Sequence, residues 1–157
     1  MSILKIKINP DSGLRRKSQD LDKQDLRHDG FQELIGDMAE TMIAKDGIGL
    51  AAPQVGENIR LIVVNTKDGV LPMINPVISS KSLAKEWDEE GCLSVPNTFG
   101  QVKRHKKIRC KFISAEGEAK RIEAKGLLAR VIQHEIDHLD GILFIDKAKD
   151  IHEAHEL

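Results

Sequence analysis

Two histidines and a glutamate sit within one helical turn, in His134-Glu135-Ile136-Asp137-His138. These are the residues best suited to chemistry in this chain. Side chains at i and i+4 of an α-helix share a face, so two imidazoles at this spacing can grip one metal ion. The Glu135 carboxylate beside them is placed to move protons on a water held by that ion. Two imidazoles do not complete a site. The strongest third ligand is Cys92, in Glu90-Gly91-Cys92-Leu93-Ser94.

Other arrangements of the same residues compete with this one. A structural zinc site would draw on Cys92 and Cys110 together, but the cysteines of a zinc knuckle lie two to four residues apart. Cys110 also alternates with Ile108 and Phe112, which predicts an inert thiol facing a core. A zinc endopeptidase would continue as His-Glu-x-x-His-x-x-Gly-x-x-His. Gly141 falls in place, but Phe144 stands where the third histidine belongs, leaving His152, Glu153, His155 and Glu156 as downstream ligands. In a third arrangement Cys92 is a nucleophile and His134 its base. That one leaves Glu135 and His138 without a role.

The positioning elements follow from periodicity. Leu128, Val131, Ile132 and Leu139 mark the apolar side of a helix from about Gly126 to Asp140, with Gly141 as its C′ residue. A second amphipathic helix is expected from about Asp25 to Ala44, where Phe31, Leu34, Ile35, Met38, Met42 and Ile43 recur at helical spacing; its methionines read as core filler. Strand patterns fall near Leu4–Ile8, Arg60–Asn65, Leu71–Ile78, Phe99–His105, Lys107–Ile113 and Ala119–Ala124. A turn at Ala115–Glu118 joins the last two. The acidic run Glu86, Asp88, Glu89 and Glu90 reads as a solvated surface stretch. The glycine-rich segment Asp46–Gly56 lacks the endings of a phosphate-cradling loop. The expected fold is α+β: one compact catalytic domain over residues 1–157, with a mostly antiparallel split sheet around a central metal-binding helix.

Composition narrows the function classes. With 24 basic and 25 acidic residues the net charge is −1, a balance that advertises no nucleic-acid surface and no DNA partner. Two cysteines make no disulfide framework and fit a reducing compartment. Lysines break the segment Met1–Lys7, unlike a signal peptide. The apolar run Leu61–Val64 is far too short to span a membrane. A cytoplasmic protein without a membrane partner is expected.

Three segments stand in order along the chain: Gly47-Ile48-Gly49-Leu50-Ala51-Ala52-Pro53-Gln54, Glu90-Gly91-Cys92-Leu93-Ser94, and Gln133-His134-Glu135-Ile136-Asp137-His138. Together they resemble the three signature motifs of the peptide deformylases, and the similarity runs from about Ile3 to Asp146. That family removes the formyl group from the N-terminal formylmethionine of nascent polypeptides and releases formate. The resemblance implies that Cys92, His134 and His138 bind one divalent metal, typically iron(II), with zinc, nickel or cobalt as alternatives. A metal-bound water would attack the formyl carbon, with Glu135 as general base and then acid. Gln54 and the Leu93 backbone N–H would hold the oxyanion. Gly47, Ile48, Gly49 and Gly91 would line the extended peptide, and Leu127 and Val131 the methionine pocket. Arg104 is expected to pair with Glu90 and hold the cysteine loop. Some bacterial members dock on the ribosome through a long basic C-terminal helix. The tail Asp146–Leu157 has no such composition, so transient ribosome association is expected without an assigned element.

Overall fold

The computed structural model describes residues 2–154. Helix α1 spans Asp29–Ala44 and is followed by strand β1, Gly49–Ala51. Strands β2 (Leu61–Thr66), β3 (Gly69–Lys81), β4 (Lys85–Cys92), β5 (Val95–His105), β6 (Lys107–Ile113) and β7 (Ala119–Lys125) come next. Helix α2, Gly126–Leu139, and strand β8, Lys149–Glu153, complete the order. All strand pairs are antiparallel. They form two sheets, one ordered β1-β2-β3-β6-β7 and a smaller one ordered β4-β5-β8. The expected split α+β architecture is the observed one.

Strand β2 explains how the large sheet holds both helices. Successive side chains of a strand point to opposite faces. Ile62 and Val64 pack toward α2, with Met73, Cys110, Phe112, Ile132 and Leu139. Leu61 and Val63 pack toward α1, with Met38, Met42, Leu50 and Ile74. A strand covered on both faces reads as an unbroken apolar run, and Leu61–Val64 is that run. Both methionines of the α1 stripe are fully buried, as core filler should be.

Helix α2 runs from Gly126 to a C-cap at Asp140, followed by Gly141 at φ 75. This left-handed residue is the C′ position that the sequence marks. The helix lies between the sheets, touching β1, β2, β6 and β7 on one side and β5 on the other. Burial on both sides forces its polar residues inward as well. Arg130, Gln133, His134, Glu135 and His138 are all buried.

Three expectations need correction. Leu4–Ile8 is not a strand. Its backbone is held singly, by Leu4 N–H to Thr41 Oγ1 at 2.8 Å and Lys7 N–H to the Gln54 carbonyl at 2.7 Å. The helix expected from Asp25 is broken: Asp25–Arg27 is a 3₁₀ turn, and an extended His28 caps α1. The Asp22 carboxylate accepts from the Gln24 and Asp25 N–H groups, a local turn that competes with helix. The acidic run, which forms strand β4, is solvated as expected at Glu86, Asp88 and Glu89, but Glu90 is buried. The tail, to which the sequence assigns no element, forms β8 on the edge of β5, through Thr98, Phe99 and Gln101. Of the proposed tail ligands, His155 and Glu156 lie outside the described residues.

Cys110 is fully buried, and burial pushes its thiol pKa up to about 11. Only a thiolate reacts. Thiol titration of the folded, metal-free protein at pH 8 should therefore modify Cys92 while sparing Cys110, which reacts only after denaturation. Equal reaction of both would refute the core placement.

Candidate metal centre

Helix α2 presents His134 and His138 one turn apart, and the last residue of β4 brings Cys92 up to them. Their ligand atoms all lie within 4.8 Å of one another. Cys92 Sγ is 3.3 Å from His138 Nε2. Cys110 stays in the core against α2 and takes no part. The donor set is one thiolate and two imidazoles, three ligands with room for a fourth position, which is the pattern of a catalytic site.

A ligating histidine needs its other nitrogen held. His134 Nδ1 is 2.8 Å from Glu90 Oε1, so the proton on Nδ1 is donated to Glu90 and Nε2 is the nitrogen left for a metal. Glu90 is buried and also accepts from Arg104 Nε and Nη2 at 2.9 Å each, and from Arg130 Nη1 at 2.6 Å. Arg104 reaches on to Asp137. The expected pairing of Arg104 with Glu90 is thus present, within a larger network. Burial alone would raise the Glu90 carboxyl, but His134 and Arg104 outweigh it and hold the pKa well below the usual carboxylate range.

The electrostatics suit a cation. Burial opposes charge on His134, yet Glu135, Cys92 and Glu90 outweigh it and lift its pKa to about 10. Burial and the neighbouring His134 push His138 well below its ordinary value. The cluster favours one positive charge, and a divalent ion on the three donor atoms satisfies the same field. Glu135 differs from Glu90: burial lifts its pKa to about 7, and its Oε1 has no hydrogen-bond partner. A buried, unpartnered carboxylate oxygen beside three metal-binding atoms is placed to receive a proton.

Above the cluster opens a cavity of about 530 Å³, of the size that takes small ligands. Gly47, Ile48, Gly49, Gln54, Gly91, Cys92, Leu93, Leu127, Val131, His134 and Glu135 all line it, while His138 lies beneath. The sequence-predicted residues are therefore brought to one place. Gln54 is buried, and its orientation is fixed. Its Oε1 accepts from Ala51 N–H at 2.9 Å, so Nε2 faces the site, 3.1 Å from Ser94 Oγ and 3.5 Å from Cys92 Sγ. Gly49 is a glycine for want of space: a Cβ there would stand 2.6 Å from Glu135 Oε2 and 2.8 Å from Val131 Cγ1.

Three residues were not assigned from sequence. Arg130 lies one turn before His134, a charged residue among the buried positions of α2, which was a usable signal. Asp137 sits inside the histidine motif. Phe99 had no signal, because it reaches the cavity only through the β4–β5 register that sets it opposite Gly91. A Cβ on Gly91 would stand 2.9 Å from the Phe99 ring, whose other neighbour is His152 of β8.

Glu90→Gln removes the charge that orients His134. Metal affinity, read by chelator competition, should fall on the order of ten- to a hundredfold with the secondary structure unchanged. Unaltered affinity would reduce Glu90 to a packing role.

Comparison with known proteins agrees with this geometry. The polypeptide deformylase family model matches residues 3–154. The peptide deformylase of Pelotomaculum thermopropionicum is 46% identical over 151 residues, covering 96% of this chain and 95% of that one. That of Natranaerobius thermophilus is 45% identical over 157 residues, covering 99% of each. The crystal structure of class I type b peptide deformylase from Acinetobacter baumannii superposes with a TM-score of 0.91 at 34% identity, over 94% of this chain and 100% of that one. Kinship along nearly the whole sequence and a shared backbone lead to one conclusion: this chain belongs to the polypeptide deformylase family.

Proposed function

We propose that residues 1–157 act as one catalytic domain that hydrolyses the N-formyl group of N-formylmethionyl nascent peptides and releases formate. Deformylation is the activity of the family. The observation that carries the residue roles is Glu135, a buried carboxylate with a free oxygen set against Cys92, His134 and His138. These three would hold one divalent metal, which when bound supplies Lewis acidity and acidifies a water molecule. A thiolate with two imidazoles suits iron(II), and also zinc, nickel and cobalt; we assign iron(II) on the family likeness.

Glu135 Oε1 takes the proton of the attacking water and returns it to the departing amine. A carboxyl group with a pKa near 7 can do both at neutral pH. Gln54 Nε2, with its amide oxygen held by Ala51, and the Leu93 backbone N–H donate to the developing oxyanion. Among the described residues the Leu93 N–H makes no backbone hydrogen bond outside the regular elements.

Peptide binding follows from an edge. Strand β1 is the outermost strand of the large sheet. An extended peptide can add to its free side next to Gly47, Ile48 and Gly49, gaining main-chain hydrogen bonds. The methionine side chain then enters the cavity between Gly91, Leu127 and Val131. The absence of a side chain at Gly91 leaves room beside Phe99.

The two free cysteines support a reducing, cytoplasmic setting, where the enzyme meets its substrate in transient association with the ribosome. No helix among the described residues is long and apolar enough to cross a membrane.

Formate release from a short formyl-Met peptide, with protein purified anaerobically and its metal quantified, should scale with metal occupancy. Fully metallated protein that releases no formate would overturn the assignment. Glu135→Ala should keep its metal and lose at least a hundredfold in turnover, on the order expected for a general base. Cys92→Ser should lose metal, whereas a cysteine nucleophile would leave occupancy intact.

A further inference from the structure

Near-neutral net charge conceals a segregated charge pattern. Helix α1 covers one face of the large sheet only over β1, β2 and the start of β3, through Leu50, Leu61, Val63 and Ile74. On the same face β6 and β7 are covered only at the Ile113–Ala119 end, and the outward residues beyond that pair are charged. Lys107, Arg109 and Lys111 of β6 and Arg121, Glu123 and Lys125 of β7 are all exposed. Their other face packs Cys110, Phe112 and Ala124 on α2.

The register makes this face unusual. Lys107 stands directly opposite Lys125, and Lys111 opposite Arg121. Only Arg109 has an acid across from it, Glu123 at 2.7 Å. Like charges directly opposite one another destabilise an antiparallel pair, and none of the four residues in those like-charged pairs has an ion pair among the described residues. A polyanion laid across both strands would turn the repulsion into attraction. At the Lys107–Lys125 end the face runs into a shallow groove of about 640 Å³, where Ser80 adds a hydroxyl group beside Lys81. Hydroxyls and lysines together are the usual contacts of phosphate oxygens.

We propose that the exposed face of β6 and β7 docks on the phosphate backbone of double-helical RNA. A helical partner fits better than a single strand, because this face has no aromatic side chain for bases to stack on; Phe112 points into the core. A lipid surface fits poorly, since Val77, opposite Lys111, is the only exposed apolar residue the neighbouring strand adds here. The choice of RNA over DNA rests on the proposed function: a nascent peptide is a product of translation, and the nucleic acid beside it is RNA. Sheet and α2 stand between this face and the peptide cavity, so both can be occupied together.

The test uses the metallated protein and a 20-base-pair RNA duplex, followed by fluorescence anisotropy over a range of salt. Binding should weaken steeply with salt, since each phosphate contact contributes on the order of −0.9 to the log–log slope for a duplex. The variant Lys107→Gln, Lys111→Gln, Arg121→Gln, Lys125→Gln should bind at least tenfold more weakly with a shallower slope. Its deformylation of a short formyl-Met peptide should be unchanged, which also shows that it folds. RNA affinity equal in both proteins would overturn the proposal, as would binding to phosphatidylglycerol vesicles without binding to RNA. If that variant fails to fold, the pair Lys111→Gln, Arg121→Gln gives the same comparison. Loss of formate release with RNA binding intact would sink the functional reading and leave this surface standing.

Discussion

A single buried carboxylate, Glu90, ties the site together. It accepts hydrogen bonds from Arg104 of β5, from Arg130 of α2 and from the ligand histidine His134. An unpaired charge at this depth would be costly, and removing one partner of a buried pair commonly costs several kcal/mol. β4, β5 and α2 are therefore held in one relative placement, the one that satisfies every donor. Cys92 follows Glu90 by two residues, so the thiol is delivered to the histidines by the same constraint. Arg104 extends the network to Asp137, which in turn meets Lys147 at 3.0 Å.

Close approach is the second constraint. Glycine at 49 lets β1 run against Glu135 and Val131, and glycine at 91 lets the Phe99 ring lie against β4. One of these keeps the free edge of the large sheet beside the Glu135 carboxylate, and the other shapes the cavity wall. Strand β8 backs that wall, with His152 against Phe99 and 3.2 Å from Glu89. Edge, carboxylate and apolar wall meet above the ligand atoms, which is the arrangement an extended peptide end requires.

The same sequence segregates its charge. Acidic side chains of β4 are drawn inward at Glu90 or stand along the small sheet, while β6 and β7 carry paired basic residues on a face that α1 does not reach. Total charge averages over these regions. Only strand register shows that like charges are set opposite one another.

By itself the sequence marked the candidate ligand histidines, the carboxylate beside them and the helix that carries all three. The i, i+4 spacing of His134 and His138, the buried period of β2, the hairpin at Ala115–Glu118 and the C′ glycine at 141 are local patterns, and local geometry is enough to read them. The residues alone pointed to Cys92 as the third ligand; resemblance added Gln54 and Leu93, which no short-range rule would have joined to the histidines. Tertiary structure decided the rest. The acidic run became strand β4 because Glu90 found two arginines and a histidine distant in sequence, and the glycine-rich segment became edge strand β1 because β2 pairs with it. Phe99 entered the cavity through cross-strand register, and the tail became β8 by meeting the edge of β5. Hydrogen-bond partners, register and close packing join residues far apart in the chain, and no window along the sequence contains both members of such a pair.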